Sequence, residues 1–178
     1  MEYTVRSTYT KTRSGLRRAA DILVIVLFSL LLVFVLFRFV LVPVSVESSD
    51  VKEITAGELI LCDRVSKYLV DYAPGDIVRA ETEGGARFLR VAAKGGSVYS
   101  VRGGTAYLDG AMIDESAYSP GWAEDVEFEI RVPDDKLLLF PDERSGIMEP
   151  GAFLVSQSRV FGEVRFRISP IKKLAFFV

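Results

Sequence analysis

A chain of 178 residues, with 22 Lys+Arg against 24 Asp+Glu and a net charge of −2, has room for one compact domain and a tether. It holds no histidine and a single cysteine. That excludes Ser-His-Asp and Cys-His catalysis, most zinc sites and any intramolecular disulfide. Covalent chemistry would have to use Ser-Lys, Thr-Lys or carboxylate pairs, and neither a metal nor another cofactor is expected.

The first predicted element is a tether. Residues 1–19 form a basic tail with Arg6, Lys11, Arg13, Arg17 and Arg18. Residues 20–44 follow as the anchor, and the apolar run from Ile22 to Val44 is broken only by Ser29, Arg38 and Pro43. A helix of this length can cross a hydrocarbon core of roughly 30 Å. Arg38 is close enough to the far end for its stem to reach the headgroups. The upstream cations place the N-terminus in the cytoplasm and the remainder outside the cell membrane, in a single pass. A cleaved signal peptide expects a shorter apolar core and a small-x-small site, which VLVPVSVES does not supply. Pro43 is expected to end the helix.

Residues 45–178 make up the extracytoplasmic domain. Its acidic excess of six (22 Asp/Glu against 16 Lys/Arg) argues against nucleic acid as a partner. The runs GELILCDRV, GDIVRAE, ARFLRVAA, SVYSVR, TAYLDG, VEFEIRV, KLLLF, AFLVSQS and VFGEVRFRI mix β-branched, aromatic and alternating polar residues. Turn signals separate them, among them Pro74-Gly75-Asp76, Gly103-Gly104 and Asp109-Gly110. This pattern predicts a mainly β, antiparallel domain. Cys62 falls inside an apolar strand and reads as a small core residue. The acidic stretch from Glu124 to Glu129 is either a docking strip or a solvated strand face. The closing LAFFV is too short to span a bilayer and reads as a last strand or a surface patch.

In order, the serine-bearing corner ESSDVKEI, then GELILCDRV, PGDIVRA, FLRVAAKGGSVYSV, GGTAYLDGAMIDE and VPDDKLLLFPDERS resemble the bacterial type I signal peptidases. That family carries S-M-x-P-T-L, R-G-D-I-V, K-R-V-x-G-x-P-G-D, an apolar D-G block and G-D-N-R-x-x-S-x-D-S-R. The resemblance implies a signal-peptidase-like β-sheet domain and a Ser-Lys dyad: a serine hydroxyl attacks the peptide bond after a signal sequence, and a desolvated lysine takes its proton.

Matched block by block, the family serine falls on Ser49, the nucleophile position. The methionine after it becomes Asp50 and the proline becomes Lys52. Glu47 stands two residues before the serine, where a carboxylate repels a developing oxyanion. The general-base lysine becomes Leu89, followed by the family arginine at Arg90. Glu47, Asp50 and Arg90 are the expected peptide-contacting positions. Asp142 and Arg144 remain from the last block, whose D-S-R is missing. Lys52 and Lys94 are the only substitutes for the base that the neighbourhood offers, and neither sits in an apolar context.

The expectation is therefore a signal-peptidase-like pseudoenzyme, idle at Ser49. It would bind secreted or surface proteins, resembling the non-catalytic factors that assist pilus assembly in Gram-positive bacteria. The client would be a preprotein or pilin, with a sortase or a second signal peptidase as a further partner. The alternative is an active signal peptidase that processes preproteins during secretion.

Overall fold

The computed structural model describes residues 2–65, 68, 71–170 and 174–177. The chain forms two units, residues 1–39 and 40–178. The first is helix α1, Glu2–Val35, which continues into a π-helical turn, Leu36–Val40. Gly15–Val40 contains an 18-residue window of mean hydropathy 3.0 and is long and apolar enough to cross a membrane. It exposes its leucines, valines and phenylalanines all round, as a lipid-facing helix does.

The apolar run extends past this helix, and the boundary falls earlier than hydropathy suggests. Leu41–Ser45, of which residues 41–44 are assigned above to the anchor, is strand β1 of the second unit. It pairs antiparallel with β2, Leu59–Asp63, in the register Val42↔Cys62 and Pro43↔Leu61. Pro43 fits there because β1 is an edge strand, where a missing N–H interrupts no ladder on its open side.

The remaining predicted strands form β3 (Ile77–Thr82), β4 (Gly85–Lys94), β5 (Val98–Arg102), β6 (Thr105–Leu108), β8 (Phe128–Arg131), β9 (Lys136–Phe140), β10 (Leu154–Ser156) and β11 (Val160–Ser169). Two further short strands appear, β7 (Ala111–Met112) and β12 (Ala175–Phe176). The larger sheet runs β1-β2-β11-β3-β4-β9-β10, with β12 beside β11; the smaller runs β7-β6-β5-β8. Every pairing is antiparallel. Asp109 and Gly110 close the β6–β7 hairpin with φ of 51° and 83°, the conformation that a two-residue turn between twisted strands requires. Gly162 lies where β11 leaves the regular β3 register, and a side chain there would meet the Asp63 carbonyl oxygen at 2.5 Å.

Strand β4 divides the core by its period of two. Leu89 and Val91 enter a cluster with Tyr72, Val78, Ala80, Leu137, Leu139, Val155 and Val160. Phe88 enters another, with Val46, Val51, Ile54, Ile60, Cys62, Ile77 and Val164. A register shift between Val91 and Ala93 against β9 lets both Ala92 and Ala93 join a third cluster, around Tyr99, Trp122 and Phe140. Cys62 is buried in the second cluster, where burial pushes its thiol up to about 12; it is core, as expected. Of LAFFV, Ala175–Phe176 pairs with β11 and Phe176 remains exposed, while Val178 lies outside the described residues.

Candidate functional site

The corner that carries Ser49 lies between β1 and β2. Val51 and Ile54 are buried in the Phe88 cluster and fix the corner from below; apolar side chains of this size contribute about 1.5–3 kcal/mol each when buried. Polar bonds fix it from behind. The Asp142 N–H donates to the Asp50 carbonyl at 2.9 Å, and the Lys52 N–H donates to Asp142 Oδ2 at 2.8 Å.

Asp142 is fully buried and also takes Arg90 Nε at 2.8 Å and Nη2 at 3.2 Å. Arg90 in turn donates to Glu53 Oε2 at 2.7 Å and to the Gly75 carbonyl at 2.9 Å, with its guanidinium 4.1 Å from the Tyr118 ring centre. Burial works against the Arg90 charge, but the hydrogen bond and charge of Asp142, with Glu53, outweigh it and raise the pKa further. Arg90 is thus committed to the frame rather than presented to a peptide, and its partners explain why an arginine stands there.

Arg144 performs the equivalent task two residues on. It forms a buried ion pair with Glu115, with Nη2 to Oε1 at 2.8 Å, and donates to the Tyr99 hydroxyl at 2.9 Å. Trp122 Nε1 donates to that same hydroxyl at 3.1 Å. Tyr99 and Glu115 belong to the part of the chain that builds the smaller sheet, so Arg144 fastens this segment onto it. Burial again opposes the arginine charge, and Glu115 more than compensates.

In front of the frame, Ser49 is half-buried and lines a cleft of about 790 Å³. Its hydroxyl donates to the Val51 carbonyl at 3.2 Å and accepts from the Val51 N–H at 3.1 Å, a local serine turn. Among the described residues no amine bonds to it.

Asp50 lines the same cleft and is gripped by Arg87, Nε to Oδ2 and Nη2 to Oδ1, both at 2.6 Å. Lys52, Glu143 and Glu149 complete the charged lining. The Ser145 side chain first, then its N–H, hydrogen-bond Glu143 and hold its carboxyl below the usual range, with a smaller contribution from Lys52. Pro141, Ile147, Ala152 and Phe153 provide the apolar wall.

The other predicted residues separate. Leu89 is 1% exposed inside its apolar cluster and does not line the Ser49 cleft. Glu47 is exposed and also outside the cleft lining. Lys94 pairs with Asp71 at 2.8 Å beside a different cleft. Sequence reasoning missed Arg87, Glu53, Glu115, Tyr99 and Trp122. Only Arg87 left a usable signal: on a strand it shares a face with Leu89, two residues away.

The fold and this corner define a class: an antiparallel β-domain that follows an apolar helix and sets a serine on a turn buttressed by buried arginine–carboxylate pairs. The family model described as "Signal peptidase, peptidase S26" matches residues 19–168, and the chain belongs to that family. Among solved structures, a signal peptidase I from Enterococcus faecalis V583 is similar at 17% sequence identity and a TM-score of 0.43, over 53% of this chain and 97% of that one. No curated protein matches.

Proposed function

We propose that this chain is a membrane-anchored, signal-peptidase-like binding protein that holds an extended segment of a secreted or surface protein without cutting it. One observation carries the reading: Leu89, which the family resemblance puts at the general-base position, is closed into an apolar cluster, while the Ser49 hydroxyl is spent on its own turn. A dyad needs an amine that is both desolvated and within hydrogen-bond reach. The positive-inside rule orients the anchor with residues 1–19 in the cytoplasm and the β-domain outside. Pilins are the fitting client, with a sortase or a complete signal peptidase as the enzyme that acts after this chain has bound.

The competing reading is an active peptidase that uses Lys52, which lines the same cleft as Ser49. Lys52 is exposed and lies near Glu143, so it is not the desolvated amine that a dyad needs. Purified full-length chain in detergent micelles, incubated with a preprotein, decides between them. No cleavage is expected, and Ser49→Ala is expected to leave the cellular role intact. Cleavage that disappears in both Ser49→Ala and Lys52→Met would establish the enzyme instead.

A further inference from the structure

The Ser49 end of the cleft is polar in a particular way. In the family resemblance, the residue after the serine is an apolar methionine; here it is Asp50, with both carboxylate oxygens taken by Arg87. That leaves Arg87 Nη1 and Lys52 Nζ without a hydrogen bond among the described residues, two donors on the lining, Lys52 with Glu143 as a neighbouring charge. Glu143 and Glu149 supply acceptors on the same lining. The five ionisable groups Asp50, Lys52, Arg87, Glu143 and Glu149 sum to −1, so the rim favours neither a strong anion nor a strong cation.

A small apolar residue laid here would cover a half-exposed ion pair and return no hydrogen bond, which is unfavourable. A carboxylate would find the donors but also the Glu143 and Glu149 carboxyls on the same lining. An amide both donates and accepts, and so matches the mixed rim while its neighbours fill the apolar wall of Ile147, Ala152 and Phe153.

We infer that the Asp50–Arg87 pair is the specificity element of this cleft, and that it selects an extended segment presenting an amide side chain, Asn or Gln, beside Ser49. This rests on the binding reading above, and it reverses the preference for small apolar residues that a small-x-small segment would satisfy.

The test uses the full-length chain in micelles and three fluorescein-labelled decapeptides that differ only at two positions: Asn-x-Asn, Ala-x-Ala and Asp-x-Asp. Fluorescence anisotropy should show the Asn peptide binding about tenfold tighter than the Ala peptide, the effect of one or two net hydrogen bonds. The Asp peptide should fall between them. In the double variant Asp50→Ala/Arg87→Ala, checked for an unchanged melting curve, the Asn and Ala peptides should bind alike.

Equal binding of the Asn and Ala peptides by the wild type overturns the specificity and leaves the binding reading standing. So does an Asp peptide that binds as well as the Asn peptide, or a preference that survives in the double variant. If no peptide binds, the docking cleft itself is refuted and the binding reading falls with it.

Discussion

Behind the Ser49 corner the polar groups are buried, matched and far apart in sequence; in front of it they are half-exposed or exposed, and among the described residues the serine bonds only to its own turn. Arg90–Asp142 and Arg144–Glu115 each bury opposite charges with several hydrogen bonds, and each ties distant segments together. Among the described residues, Ser49 bonds only to Val51, two residues away. The contrast separates two requirements that an active Ser-Lys site meets together. Holding a corner in shape needs buried complementary charge, and this remains. Activating a hydroxyl needs a desolvated amine beside it, and Leu89, which the family resemblance puts at that amine's position, lies in an apolar cluster.

The strongest way to break the comparison is to remove the frame. Arg144→Ala leaves the buried Glu115 carboxylate without its counter-charge, and loss of one partner of a buried pair costs about 3–5 kcal/mol. Denaturant unfolding in detergent should show that loss of stability. A change below about 1 kcal/mol, ordinary for a surface substitution, would mean the Arg144 network is not what fastens the corner segment to the smaller sheet.

Placing an amine at Leu89 is the next largest perturbation. Leu89→Lys places an ammonium among Val78, Val91, Leu137 and Leu139, where burial lowers its pKa. A depressed lysine pKa means the unfolded chain binds the proton more tightly, so the variant gains stability as pH rises toward the unfolded value of about 10.4. A shift of about two units corresponds to about 3 kcal/mol. Unfolding at pH 7 and pH 9.5 should show the deficit shrinking. A pH-independent deficit would place the amine in water, outside the cluster.

Much of this frame is legible in the sequence, and the limits have physical causes. Strands β2 to β6 stand out because alternating residues lie between Gly-containing turns such as Asp109-Gly110. Strand β1 does not, because Leu41–Val44 continues the hydropathy of the helix and only its pairing with β2 separates it. The substitutions at Asp50 and Leu89 show against the family pattern. That Asp50 is held by Arg87, 37 residues away, and Arg144 by Glu115 depends on the folded sheet, and no local spacing encodes either pair. Arg90 reads as a peptide contact in sequence because its partners, Glu53 and Asp142, come from separate blocks.

One buried group behind the corner breaks the pattern of matched charge, and it offers the smallest and most discriminating test. Glu163 faces Asp63 across the β11–β2 ladder and has Asp76 and Tyr72 as further neighbours, with Arg165 at 2.9 Å as its counter-ion. Burial first, then the Asp76 and Asp63 charges, push its carboxyl up to about 7 against the pull of Arg165. The folded value exceeds the unfolded one, so the folded state holds the proton more tightly. The associated stability is complete below about pH 4.5 and is lost as pH rises through 7. Glu163→Gln imitates the protonated form and removes this slope. It should match the wild type at pH 5 and exceed it at pH 8 by on the order of 1 to 2 kcal/mol. If the variant instead weakens the protein at pH 8, the Arg165 pair outweighs the like charges, and Glu163 joins the matched frame with Arg90 and Arg144.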